Sequence, residues 1–424
     1  MHIRKRKLGR GVAVVGVGMT KFGVYPKEVR SSDLFVESFL ELKSSMDKGF
    51  SDADIEALYL GNFSSDIFEG QVHTAADVVS KLGLTPIPAT RVEDACASSG
   101  VAFREGIIAV ASGLYDLVLV GGMEKMTNLG TIDVTGLLGM ALDPLCEIPS
   151  GQTFPGIFAT IATAHMAKYC TTPEDLMRVA IKNHRNASLN PKAHFNESIQ
   201  DTMKRRAESA VKKGVSVPRW ADEMEFLHDN DQNPYVAYPL RLFDCATVCD
   251  GASCALLAAE NIATSFTDNP LHVIGTGQAS DYPVHERPDM TVFGGTPAAV
   301  REAYEMAGVT PRDIKIAEVH DCFTIAEIIA MEGLGFYEPG KAAQAVYNGE
   351  TSLEGILPVN TDGGLKAKGH PVGATGTGMV VELFRQMRGE AGARQVKNKD
   401  LKHGLALSLG GHGATAVVSV LEKR

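Results

Sequence analysis

The sequence predicts an α/β fold made of two similar halves with a mainly helical insert between them. Short β-branched runs alternate with longer helical patterns, one helix–turn–strand order occurs twice, and the stretch between the two occurrences changes character. Val12-Ala13-Val14-Val15 reads as the first strand, and a helical segment follows around Asp33–Lys48, with Leu34, Phe35, Phe39 and Leu40 at helical spacing. Asp52-Ala53-Asp54-Ile55 then leads into the apolar Ala57-Leu58-Tyr59-Leu60. The same order returns as a helix at Val300–Ala307, a turn at Pro311-Arg312-Asp313-Ile314 and a strand at Ile316-Ala317-Glu318-Val319. Cys249–Leu257 and Gly410–Val418 also correspond, each a glycine turn feeding a strand. Matched sets in one order favour duplication over chance convergence on a βαβ pattern. Apolar runs without alternation predict strands buried on both faces and mainly parallel pairing.

Residues 126–244 hold most of the long polar patches, including Thr172–Lys192, Lys204–Lys213 and Trp220–Tyr238, and few strand signals. This stretch reads as a lid that covers a site on the sheet, holds remote parts of a substrate and excludes water. The expected division is therefore 1–125 plus 245–268 for the first half, 126–244 for the insert and 269–424 for the second half.

Composition narrows the function classes. A net charge of −10 argues against a surface built to neutralise phosphate backbones, so nucleic acid is not an expected partner. Seven cysteines, an odd number without a dense framework, read as reduced thiols in the cytoplasm. Cys245, Cys249 and Cys254 lack paired C-x-x-C knuckles, so no metal is expected and small buried thiols are the reading. Basic residues in Met1–Lys7 precede an apolar run at Val12–Val17, but that run is too short for a signal peptide. No uninterrupted apolar stretch suffices for a membrane helix.

Four places carry candidate chemistry. Cys96, in Glu93-Asp94-Ala95-Cys96-Ala97-Ser98-Ser99-Gly100, sits where a loop becomes the amphipathic segment Val101–Ser112, ahead of a strand at Asp116–Val120. Unpaired N–H groups at a helix mouth lower a thiol pKa, which suits a nucleophile; the plain alternative is a small thiol in a tight turn. His370 projects from the glycine-crowded turn Gly363–Gly376 before a helix at Thr377–Arg388, where an imidazole can deprotonate Cys96 or donate to an oxyanion. A phosphate-cradling loop is disfavoured there because no G-x-x-x-x-G-K followed by Ser or Thr occurs. His320-Asp321-Cys322-Phe323 closes a strand and opens the helix Thr324–Glu332, the end of a sheet at which α/β proteins hold ligands. Ser408-Leu409-Gly410-Gly411-His412-Gly413 forms a last glycine turn whose amides can face an oxyanion.

Taken in order, these motifs resemble the thiolase family over nearly the whole chain, most closely the archaeal-type and sterol-carrier-protein-type members in which HDCF, here His320–Phe323, replaces an asparagine motif. Gly121-Gly122-Met123-Glu124-Lys125-Met126 and Asn360-Thr361-Asp362-Gly363-Gly364 are also similar. The resemblance implies the thiolase fold, a five-layer α/β/α/β/α stack. It implies a ping-pong reaction in which Cys96 attacks the 3-keto carbon of a 3-oxoacyl-CoA, expels an acetyl-CoA enolate and passes its acyl group to coenzyme A, or runs in reverse as a Claisen condensation. His370 would activate Cys96 and hold one thioester oxygen, with His320 holding a water beside it. Backbone amides of Cys96 and Gly410 would form a second oxyanion hole. Where many thiolases carry a second catalytic cysteine this chain has Ser408, so Cys322 is expected to move the α-proton, with His412 the alternative. Ala246 stands where relatives often present serine to the pantetheine arm, and coenzyme A contacts stay unassigned.

The resemblance further implies no permanently bound cofactor, acyl-CoA and CoA as substrate and product, a homodimer or dimer of dimers, and a small zinc-ribbon/OB-fold partner subunit. Acetoacetyl-CoA is the default substrate; a branched, aromatic or dicarboxylic acyl chain is the alternative. A non-catalytic acyl-CoA scaffold would bind without taking up an acyl group on Cys96. A nucleotide-binding oxidoreductase finds only Gly16, Gly18 and Gly23 in the wrong spacing, and a serine hydrolase finds no G-x-S-x-G.

Overall fold

A computed structural model describes residues 6–397 and 400–424; the first five residues of the basic start lie outside it. The first half contains β1 (Val12–Met19), α1 (Ser31–Ser45), β2 (Ala57–Gly61), α2 (Ser65–Phe68), α3 (Thr74–Leu82), β3 (Ala89–Val92), α4 (Ser98–Ala111) and β4 (Leu117–Glu124). Helices α5 (Thr131–Gly139), α6 (Phe154–Tyr169), α7 (Pro173–Ser188), α8 (Ile199–Lys213) and α9 (Glu223–His228) follow, with the small ribbon β5 (Tyr235–Ala237) and β6 (Leu240–Arg241). The chain then re-enters the sheet through β7 (Gly251–Ala259) and α10 (Glu260–Ala263). The second half comprises β8 (Leu271–Ser280), α11 (Gly295–Ala307), β9 (Ile316–Val319), α12 (Thr324–Gly333), α13 (Ala342–Tyr347), α14 (Thr375–Arg388), β10 (His403–Gly410) and β11 (Thr415–Lys423).

Strands run across the large sheet in the order β3, β2, β4, β7, β1, β8, β11, β10, β9. The order β2-β4-β7-β1 repeats as β9-β10-β11-β8, with the same senses in each: one parallel pair, then two antiparallel. The two halves meet where Val12–Val14 of β1 pair with Leu271–Val273 of β8. Mainly parallel pairing is corrected here, since five of the eight neighbouring pairs are antiparallel. A strand buried on both faces is apolar throughout whichever way its neighbour runs, so the sequence carries no sign of direction. Between β10 and β11 direction is forced, because the turn of residues 411–414 is too short for a crossover.

Alternate residues of β1 face opposite layers, and the register shift between Val14 and Gly16 brings Val17 onto the face of Val12 and Val14. Val12, Val14 and Val17 pack with Phe103, Ile107 and Val110 of α4, whereas Ala13 and Val15 pack with Leu34, Phe35 and Leu42 of α1. Helices α4 and α14 lie against each other and touch strands of both halves, while α1 and α3 cover one outer face and α11 the other. The result is the five-layer stack. Close crossing of the two inner helices requires glycine, because a Cβ on Gly376 would lie 2.3 Å from the Gly100 amide nitrogen. No helix among the described residues is long and apolar enough to cross a membrane.

Helix α7 starts at a capping box, Thr172 with Asp175, and α8 at another, Ser198 with Asp201. Its polar residues are not a solvated patch. Lys182, Asn183, His184 and Asn186 are buried, which places α7 against the second half.

Candidate active site

Cys96 lies two residues ahead of α4, with Ala97 at the N-cap. The preceding Ala95 has φ 47°, in the left-handed region that side chains rarely adopt, so the backbone bends sharply before the thiol. Ser98 holds that bend, its hydroxyl donating to the Ala95 carbonyl at 2.6 Å and accepting from the Asp94 amide at 2.9 Å. His320 follows the end of β9, and His370 comes from the turn that precedes α14.

One nitrogen or sulfur atom from each of Cys96, His320 and His370 lies within 4.8 Å of the others. The two imidazoles meet edge to face with centroids 5.1 Å apart. Hydrogen bonds fix their tautomers. Thr375 Oγ1 donates to the Pro371 carbonyl at 3.0 Å, so at 2.7 Å it accepts from His370 Nδ1–H. His370 Nε2 therefore keeps a lone pair. The Leu409 amide donates to His320 Nδ1 at 3.3 Å, so His320 carries its proton on Nε2, which is buried without a partner among the described residues. The site thus offers a thiol, an imidazole base and an unused N–H donor. The same three groups have the residue types of a metal site, but a protonated Nε2 is a donor and not a ligand. Asp143, Cys146 and His285 approach one another similarly near the surface.

A lowered thiol pKa, expected from the helix mouth, is reversed. Burial pushes Cys96 up to about 12, the Gly411 amide pointing at the sulfur opposes this, and the Glu124 charge adds to it. Cys96 as a residue is only half-buried, but protein surrounds its sulfur, and desolvation outweighs the field of a helix that begins two residues later. Burial and the Lys368 charge bring His370 down to about 3, and burial holds His320 well below its ordinary range. The unliganded pair is a neutral thiol and a neutral imidazole.

Cys322 is buried, and burial followed by the neighbouring Cys96 raises its thiol well above the usual range. The amide pointing at the Cys96 sulfur belongs to Gly411, the residue after Gly410, and a Cβ on Gly410 would lie 2.7 Å from the Asp94 carbonyl oxygen. Ser408 points elsewhere. Its hydroxyl is buried without a partner among the described residues and packs where Gly100 and Gly376 cross. His412 is held by Arg287, whose guanidinium lies 3.0 Å from both its carbonyl oxygen and its Nδ1, and its Nε2 faces Glu147 at 3.8 Å. Burial and the Arg287 charge lower His412 to about 4.

Several supporting residues escaped the sequence reading. Asp321 accepts the Leu365 amide at 2.6 Å and Asn183 Nδ2 at 2.6 Å, which anchors the His370 turn to α7. Gly364 has φ 60°, and a Cβ there would lie 2.2 Å from the Asp321 carboxylate. Glu124, raised by burial to about 7, accepts from the amides of Phe63 at 2.8 Å, Ser64 at 3.1 Å and Gly373 at 3.1 Å, joining the end of β4 to the same turn. The motif around Glu124 was visible in sequence, but nothing local showed which groups it would tie together.

A cavity of about 630 Å³ runs between the insert and the two halves, lined among others by Leu129, His184, Phe243, Ala246, Val248 and Lys366. Its Leu129 and Val248 pack in the same apolar cluster as Cys96. Lys366 is 2% exposed, its backbone amide donates to the Asp321 carboxylate at 3.3 Å, and its ammonium lies 5.7 Å from the Phe243 ring centroid. His184 donates through Nδ1 to the Glu197 carbonyl at 3.3 Å, leaving Nε2 as a buried acceptor without a partner among the described residues. Arg205 and Arg206 of α8 also line this cavity.

Comparison with known proteins agrees with this architecture. Residues 12–261 match the thiolase N-terminal domain and residues 277–423 the thiolase C-terminal domain-like family. The chain is 42% identical to an acetyl-CoA acetyltransferase of Methanothermobacter thermautotrophicus, over 98% of this chain and 100% of that protein. It is 32% identical to sterol carrier protein 2 of Gallus gallus, over 94% of this chain and 70% of that one. It is 31% identical to the benzoylsuccinyl-CoA thiolase subunit BbsB of Thauera aromatica, over 92% of each. Among solved structures, the Ltp2-ChsH2(DUF35) aldolase superposes with TM-score 0.77 at 23% identity over 98% of each chain. Human mitochondrial 3-ketoacyl-CoA thiolase in complex with CoA superposes with TM-score 0.66 at 19% identity over 98% of this chain and 99% of that one. At those identities the two structures speak for the fold alone. With both halves matched and a full-length relative at 42% identity, the chain belongs to the thiolase family.

Proposed function

We propose that the chain cleaves a 3-oxoacyl-CoA thiolytically, or condenses two acyl-CoAs in reverse, through an acyl group carried on Cys96, with acetoacetyl-CoA as substrate. The observation that carries this reading is the convergence of Cys96, His320 and His370 in defined tautomers. In the cleavage direction the thiol proton moves to His370 Nε2 as sulfur bonds to the 3-keto carbon. The bond between carbons 2 and 3 then breaks, and its electron pair moves into an acetyl-CoA enolate whose oxygen accepts from His320 Nε2–H. Cys322 protonates carbon 2 and acetyl-CoA leaves; a coenzyme A thiol then gives its proton to the Cys322 thiolate and bonds to the acyl carbon, and the Cys96 sulfur departs with the proton held on His370. A neutral thiol–imidazole pair suits this order, because charge forms only when a carbonyl is present to receive it. Amides of Cys96, Gly410 and Gly411 are the donors proposed for the 3-keto oxyanion.

The pantetheine arm is assigned to the 630 Å³ cavity, where the Lys366 ammonium can donate to an amide carbonyl and His184 Nε2 can accept an amide N–H. Arg205 and Arg206 would meet the phosphates. Acetyl transfer is supported by the named activity of the archaeal relatives, the one from Methanocaldococcus jannaschii being 37% identical. A partner subunit, in addition to a homodimer, is supported by the subunit designation of BbsB and by exposed Tyr235, Val236 and Tyr238 beside the cavity-lining Leu242. Free thiols throughout suit a cytoplasmic setting. Initial rates of acetoacetyl-CoA thiolysis test the reading: the ping-pong scheme predicts parallel double-reciprocal lines and loss of turnover in Cys96→Ala. Intersecting lines, or turnover retained by that variant, would overturn it.

A further inference from the structure

Between Cys96 and the insert lies a second, much smaller space. It measures about 10 Å³ and is lined by Phe63, Ala95, Cys96, Leu138, Ala141, Phe154 and Val372. Each lining side chain other than that of Cys96 is apolar. Leu138 belongs to α5 and Phe154 opens α6, while Phe63 and Val372 come from loops that Glu124 ties together through the Phe63 and Gly373 amides. Val372 is 1% exposed and packs in one cluster with Phe63, Cys96 and Leu138, so that side of the space is fixed. A space of this size takes one water-sized or methyl-sized group. No polar side chain beyond Cys96 lines it to greet a carboxylate or hydroxyl.

We propose that this apolar closure, set by Leu138 and Phe154 of the insert against Phe63 and Val372, gauges the acyl group on Cys96 and limits it to acetyl. The inference rests on the acyl-Cys96 reading and names the group carried. In the half-reaction concerned, Cys96 sulfur bonds to the thioester carbon, the bond from that carbon to the CoA sulfur breaks, and the thiol proton passes through His370 Nε2 to the departing CoA. The methyl of an acetyl group then enters the space; each added methylene must displace packed side chains, and one methylene discriminates by roughly 10- to 200-fold in a tight apolar pocket.

The experiment follows acylation of Cys96 by mass spectrometry with acetyl-, propionyl-, butyryl- and hexanoyl-CoA in the full-length protein and in Leu138→Ala and Phe154→Leu. Acetyl labelling should exceed butyryl labelling by at least about 100-fold in the parent, with that ratio falling about 10-fold or more in either variant. Comparable labelling by all four thioesters, or a ratio unmoved in both variants, would overturn the gauge while leaving the acyl-Cys96 reading intact. Absence of every label from Cys96 would defeat both.

Discussion

Replacing His320 by alanine isolates the donor that the free protein leaves unused. Nε2–H is buried without a partner among the described residues, so the substitution sacrifices none of their hydrogen bonds on that side. On the other side the Leu409 amide loses Nδ1 as acceptor, a 3.3 Å bond, which costs about 1 kcal/mol of stability and up to about 3 if no water enters. The larger loss falls on the transition state. One preorganised donor to a developing oxyanion is worth about 3–4 kcal/mol, or roughly 10²- to 10³-fold in kcat. Because that oxygen becomes anionic only as the carbon–carbon bond breaks, kcat should fall while KM stays within a few-fold. The assay is steady-state thiolysis of acetoacetyl-CoA, paired with a thermal melt to show that the variant is folded. A folded variant with kcat within threefold of the parent would refute the tautomer argument, as would a loss confined to KM.

The remaining predictions concern the thiol, its base and the cavity rim. With Cys96 raised to about 12, alkylation by iodoacetamide in the absence of acyl-CoA should climb about tenfold per pH unit from roughly pH 6 to 9; a plateau near neutrality would show a stabilised thiolate instead. Thr375→Val removes the acceptor that sets the His370 tautomer, so kcat should drop by about 5- to 100-fold, with Thr375→Ser restoring it; equal loss in both variants would point to packing alone. Arg206→Ala at the cavity should raise KM for CoA thioesters by about 2- to 5-fold and leave kcat unchanged, an effect that added salt should shrink in the parent. An unchanged KM at low salt would remove Arg206 from the binding path.

Local pattern carried the positions of the chemistry better than its energetics. The strand at Ile316–Val319 stands where its β-branched pattern placed it, and His320 follows because a loop at a strand's end must turn toward the site. Helix α4 is different: a segment read as amphipathic from Val101 begins at Ser98 and has Phe103, Gly106, Ile107 and Val110 buried, since sheets flank it on two sides. Helical spacing alone does not reveal a second buried face. The polar run Thr172–Lys192 marks the insert in the sequence, yet on α7 Asn183, Asn186 and Lys182 hydrogen-bond Asp321, Asn360 and Val359 and so brace the His370 turn. The pKa of Cys96 inverted for a related reason. The helix mouth is written next to the cysteine, but the groups that strip water from its sulfur, including Leu138 and Phe154, lie far along the chain. Ser408 and His412 looked equally available in their glycine turn, and only tertiary packing sends one to a helix crossing and the other to Arg287.

Peptide mass spectrometry after brief exposure to acetyl-CoA reads the central claim directly. An acetyl group should appear on the peptide containing Cys96, vanish on addition of free coenzyme A, and fail to form in Cys96→Ala. A label borne stably by another residue, or a Cys96→Ala protein that still exchanges acetyl groups between thioesters, would contradict it.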